Sequence, residues 1–220
     1  RSRGLGDVYK RQMKHIALLT TLLLSASLQA VEKPYDYVFF ENSLMKGDYF
    51  YSQAKYTSPS WIKNARHHLP VAGSVAFTPG NSLELTYVSA PGGDWYSEIQ
   101  YCPVRGNDFF REPSTLSMQV RLRESMNAAA LPNIAIRYAD STYTQYLNLR
   151  NYLKDTRPGV WHSVSIPLKD FGLNAVNDTN IKKLAAVALR PGTADGNEYT
   201  IYLDDIELLP ASLPSVSTLN

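Results

Sequence analysis

From Ser82 to Leu208 the chain runs as eight short stretches in which Val, Ile, Leu, Thr and Tyr alternate with polar residues. They are Ser82–Val88, Trp95–Tyr101, Thr115–Leu122, Asn133–Ala139, Gln145–Tyr152, Trp161–Leu168, Leu184–Arg190 and Tyr199–Leu208. Alternation with period two is the signature of strands that bury one face, and the gaps carry the glycines, prolines and aspartates that turn a chain. Such turn signals are Pro91-Gly92-Gly93-Asp94, Arg105-Gly106-Asn107-Asp108, Arg157-Pro158-Gly159 and the stretch from Pro191 to Gly196. No helical period competes, apart from one turn at Asn180–Lys183. The pattern predicts an all-β fold, a two-sheet antiparallel β-sandwich of jelly-roll type. Tyr37–Asn42 would add an edge strand, while Lys46–Val75, rich in Tyr and carrying His67-His68, reads as long loops.

The ends of the chain read differently. Met13, Lys14 and His15 precede an apolar run from Ile16 to Leu28, and Ala30 follows as a small residue; residues 13–30 are therefore expected to be a signal peptide, and the protein secreted or periplasmic. Residues 1–12, RSRGLGDVYKRQ, do not fit ahead of a signal peptide and read as adapter- or vector-derived sequence. The sandwich would span 31–209. Residues 210–220, PASLPSVSTLN, have the composition of a linker to a further domain.

Charge and cysteine content narrow the classes. Of 22 basic and 20 acidic residues, the first thirty positions hold five and one, leaving 17 against 19 and a net charge of −2. No basic excess remains to neutralise phosphates, which argues against a nucleic-acid binder. No second long apolar segment is present, so no membrane span is expected. A lone Cys102 allows no internal disulfide, and the fold must rest on its core.

Catalytic signatures are missing: there is no Gly-x-Ser-x-Gly elbow, no His-Glu-x-x-His and no phosphate-binding glycine loop. His67 and His68 are adjacent and would point to opposite sides of an extended chain, and His162 follows Trp161 on a strand. In jelly-roll order the runs beginning at Trp95, Leu184, Asn133 and Gln145 share one sheet. Period two then sends Ile99, Val187, Leu189, Ile134, Ile136, Leu147 and Leu149 inward. The outward set is Tyr96, Glu98, Gln100, Arg137, Tyr146, Asn148, Arg150 and Arg190. Tyrosine faces stack on pyranose rings while amide and guanidinium groups bond hydroxyls, so this face is the expected ligand site, with three arginines and few matching carboxylates. Trp95 is expected in the core, Trp61 as a platform or lid, and Trp161 as a plug at the sandwich end.

Several stretches carry a resemblance. Trp161-His-Ser-Val164-Ser-Ile166-Pro167-Leu168-Lys-Asp170-Phe171 resembles the W-x-x-V-x-I-P-L-x-D-F segment of jelly-roll carbohydrate-binding modules, and Tyr199–Leu208 their closing strand. Phe39–Leu44, Thr78–Leu83 and Ser89–Trp95 are similar to the N-terminal galactose-binding-like domain of secreted Bacteroidota glycoside hydrolases, some of which act on β-1,2-glucans through a glucoamylase-like catalytic domain. The resemblance implies a non-catalytic accessory domain that binds a polysaccharide or oligosaccharide beside a downstream catalytic domain. It also implies a structural Ca²⁺ held by Glu41 and Asp204, with Asp205 as a third candidate; a cation with hard oxygen ligands would clip the first and last strands together. Two alternatives stand beside this: a structural spacer packing on a hydrolase domain without binding sugar, and a stand-alone jelly-roll glycanase or lyase, which would need two opposed carboxylates in a groove.

Overall fold

The computed structural model describes residues 37–101, 113–173 and 184–210. All belong to the compact unit Tyr35–Asn220. The readings made for residues 1–30, Cys102, Arg105–Asp108, Asn180–Lys183 and 211–220 lie outside the described residues.

Twelve strands are described: β1 (Tyr37–Phe40), β2 (Ser52–Thr57), β3 (Trp61–Ile62), β4 (Val71–Ala72), β5 (Ser82–Val88), β6 (Asp94–Gln100), β7 (Pro113–Leu122), β8 (Asn133–Tyr138), β9 (Leu147–Asn148), β10 (Trp161–Pro167), β11 (Leu184–Arg190) and β12 (Glu198–Pro210). They form two antiparallel sheets. One runs β10-β7-β12-β5-β3, with β4 also on β5 and β1 also on β12; the other runs β2-β6-β11-β8-β9. The expected division of the eight principal strands between two sheets is thus the observed one, and the fold is an all-β sandwich.

Register explains the core. Val187 lies between Ile99 and Ile136, and Leu189 between Ser97 and Ile134, so these residues share the inner face of the five-stranded sheet. Opposite them Ile201 lies between Leu85 and Leu122, and Leu203 between Leu83 and Val120. Val164 and Ile166 extend this layer on β10, and all these apolar side chains are buried. Trp95 is in the core as expected, its indole donating to Ser89 Oγ at 2.9 Å and packing 4.7 Å from the Tyr87 ring. Donation matters because a buried indole N–H without an acceptor is costly.

Four expectations are corrected. The segment Lys46–Val75 is not simply loop: it contributes β2, β3 and β4. Its β2 has the sequence SQAKYT, with Ser52 and Ala54 as its buried residues, so it lacks the apolar alternation that reveals a strand. Polar residues and an exposed lysine suit its position at a sheet edge. The run Gln145–Tyr152 is a strand only at Leu147–Asn148, because Asn148 Oδ1 accepts from Arg150 N and turns the chain into a 3₁₀ turn over Leu149–Asn151. Trp161 does not plug the sandwich; it is half-buried on β10, with Phe77 at 6.0 Å edge-to-face. Pro210, taken as linker, is the last residue of β12.

Candidate functional site

The outward face of the five-stranded sheet begins with a floor. Ala135, Ala186 and Ala188 alternate with the inward Ile134, Ile136, Val187 and Leu189, so their methyl groups point away from the core, yet all three are fully buried. Larger side chains cover them. On β6 these are Tyr96, Glu98 and Gln100, with Glu98 registered on Ala188 and Gln100 on Ala186. Small residues in the middle of the sheet let the covering layer lie flat.

Two groups make up that layer. In the first, Arg137 Nε lies 2.7 Å from Glu98 Oε1, and the Glu98 side chain is only 3 % exposed. Tyr143 donates its hydroxyl to the same carboxylate oxygen at 2.9 Å. Tyr96 hydrogen-bonds within the group to Glu98 and Tyr143; burial first, and then these bonds, push its phenol far above the ordinary range. Burial likewise raises Tyr143. A carboxylate so enclosed is stable only because cation and hydroxyl donors meet it together. Glu98 therefore serves as an anchor for the group.

In the second group Arg190, at the end of β11, donates from Nε to Tyr146 Oη at 3.1 Å and lies 5.8 Å from the Tyr96 ring centroid and 5.7 Å from that of Tyr146. Asp94 Oδ2 is 3.4 Å from its Nη1. Tyr146 is in turn stacked on Tyr143, with centroids 6.0 Å apart. This cluster is half exposed.

The structure brings Tyr96, Glu98, Gln100, Arg137, Tyr146 and Arg190 onto this face. Asn148 is registered on the same sheet opposite Asn133, but its amide is occupied: it donates to Asn133 Oδ1 at 3.0 Å while its oxygen caps the 3₁₀ turn. Arg150 stands in that turn, exposed, and is not a strand residue. The arginines also do not lack carboxylates, since Glu98 and Asp94 meet two of them. Tyr143 was missed, for a geometric reason. Arg137 faces Tyr143 and Ile134 faces Leu147, so the return strand spends one residue more than β8 over the same span. That bulge reverses the alternation and turns outward a residue that period two sends inward.

The three residues expected to hold calcium are Asp204, Asp205 and Glu41. Asp204 is fully buried, with Oδ2 accepting from Phe77 N (2.8 Å) and Thr78 N (3.2 Å) and Oδ1 from Asp205 N (2.9 Å). Asp205, at φ 45°, accepts from Thr78 Oγ1 at 2.7 Å, and Glu41 is exposed. Among the described residues no three His, Cys, Asp or Glu side chains come together as a metal site. Backbone N–H groups thus occupy three of the about four lone-pair sites of the Asp204 carboxylate.

Aromatic rings and a guanidinium thus lie over a floor of alanines on the outward face of one sheet of a β-sandwich. Residues 36–209 match the family described as Carbohydrate binding domain 30, and the chain belongs to that family. It is 99% identical over 208 residues to an exo-β-1,2-glucooligosaccharide sophorohydrolase (non-reducing end) of Parabacteroides distasonis, covering 94% of this chain and 29% of that relative. A crystal structure of a β-1,2-glucanase from Parabacteroides distasonis superposes with a TM-score of 0.79 at 98% identity, over 86% of this chain and 27% of that one. A family 30 carbohydrate-binding module from a cellulosomal cellulase of Clostridium thermocellum shares the fold at 18% identity, with a TM-score of 0.60 over 81% of this chain and 99% of its own. The chain thus spans under a third of the length of the Parabacteroides proteins it matches. Among the described residues no helix is long and apolar enough to cross a membrane.

Proposed function

We propose that the outward face of the β2-β6-β11-β8-β9 sheet binds a β-1,2-linked gluco-oligosaccharide and holds it for a hydrolase domain elsewhere in the same polypeptide. The observation that carries this reading is Arg190 set between the rings of Tyr96 and Tyr146. Its guanidinium is oriented by Tyr146 Oη and Asp94 and keeps donors for sugar hydroxyls, while the rings offer apolar faces to pyranose C–H groups. The named activity of the Parabacteroides relative supplies the linkage, and the share of that relative left uncovered has room for the catalytic domain. Export across a membrane, directed by residues 13–30, completes the reading, because a polymer too large to enter the cell must be met outside it.

The test is retention on immobilised β-1,2-glucan. Arg190→Ala and Tyr146→Ala are each expected to weaken affinity by about tenfold, as loss of a central contact does. Both side chains lie at the surface, so the melting temperature should move little. Unchanged retention in both variants overturns the site. Retention by neither variant nor the unaltered chain favours a spacer that packs on the hydrolase domain instead.

A further inference from the structure

A cleft of about 400 Å³ lies on a different part of the molecule, against β10, the edge strand of the other sheet. Tyr152 and Trp161 stand in its walls, Ser163 and Ser165 project into it, and Lys154 and Asp155 line it. Its size is within the range of small-ligand sites, which run from about 300 to 1,000 Å³. None of these residues belongs to the Arg190 cluster.

The lining is held in place by contacts with neighbouring residues. Tyr152 donates its hydroxyl to Asp170 Oδ2 at 3.0 Å, fixing the ring against the 3₁₀ turn Leu168–Phe171. Trp161 is braced by Phe77. Asp155 accepts the backbone N–H of Arg157 at 2.9 Å and pairs with its side chain, which orders the loop from Asp155 to Arg157. Ser163 donates to Gln119 Oε1 at 3.0 Å, so the Gln119 amide nitrogen remains a donor beside it. Across the strand from Trp161 lies Arg121, whose buried Nε makes no hydrogen bond among the described residues.

We propose that this cleft is a second saccharide site, taking one hexopyranose unit of a glycan, stacked on Trp161 and hydrogen-bonded by Ser163, Ser165 and Lys154. The match is chemical. An indole offers a flat apolar surface for the ring face, while two hydroxyls, an ammonium and a carboxylate supply donors and acceptors for the hydroxyls around the ring. An edge strand gives a chain end access that a crowded sheet face does not. Two sites on one module let a single polymer be held twice, which raises retention on long chains without tighter contacts at either site.

The experiment is titration of β-1,2-linked gluco-oligosaccharides into the isotopically labelled chain, following the Trp161 indole N–H by NMR. The signal is expected to shift in the unaltered chain and equally in Arg190→Ala, where the first face is weakened. In Ser165→Tyr, which fills the cleft from an exposed position, half-saturation should need at least fivefold more ligand; Lys154→Ala should act in the same direction. A Trp161 signal that stays still while the Arg190 face titrates overturns this second site alone. A shift lost in Arg190→Ala overturns it too, as an effect relayed from the first face. No shift anywhere overturns both sites for this glycan.

Discussion

Glu98 shows how a single side chain sets what the outward face can do. It sits among Arg137, Tyr143 and Tyr96, so removing Arg137 strands a buried charge. Arg137→Ala is expected to lower stability by about 3 kcal/mol in denaturant melts, with Arg137→Ala/Glu98→Ala recovering most of that loss. Binding lost in Arg137→Ala alone would therefore report unfolding as much as lost contact. Asp204 makes a second residue-scale prediction. Burial raises its carboxyl to about 6, against which the N–H groups of Phe77, Asp205 and Thr78 pull downward. The native state then holds the proton more tightly than the unfolded chain, and this contribution to stability is lost as pH rises from about 4 to about 6. Melts across that window should show a decline of the order of 2 kcal/mol that Asp204→Asn flattens. At this scale the sequence was partly readable. Period two found Tyr96, Glu98, Arg137 and Arg190, because β6, the Asn133–Arg137 part of β8 and the Ala186–Arg190 part of β11 alternate in register. It could not find Tyr143, whose orientation depends on a bulge, and it carried Arg150 past the point where Asn148 caps the strand.

Among the elements, those with strong alternation were legible to the residue. β5 and β11 begin and end where their apolar runs do, since each has a neighbour on both sides and an inward face to fill. The edge strand β2 was hidden because an edge buries less and tolerates polar sequence. Its position is set partly from outside, at the turn before β6. A Cβ on Gly93 would lie 2.3 Å from Ser60 N and 2.7 Å from Thr57 O, both backbone atoms that cannot swing aside. Gly93→Ala should push the segment after β2 outward and cost about 1–3 kcal/mol, measurable as a lower denaturant midpoint. Because β2 pairs with β6 along its whole length, the same change should also weaken glycan retention through Tyr96.

Over the whole molecule, the sandwich separates support from recognition. A single buried cluster joins both sheets, from Phe39 and Phe40 to Leu189 and Leu208, and none of the Arg190 group belongs to it. Surface chemistry can therefore vary while the fold persists, which accounts for a shared architecture with the Clostridium module at 18% identity. One pairing has a mechanical consequence. β12 leaves β5 after Leu203 and takes β1 as its neighbour, placing Tyr37 across from Leu208. The two ends of the described sandwich therefore emerge side by side. Tension applied through them would open the β1–β12 ladder like a zipper, one pair at a time from Tyr37 and Leu208, a geometry that yields at low force. A module pulled along its polymer would part first at this seam, away from β6, β11 and β10, which carry the two proposed sugar sites.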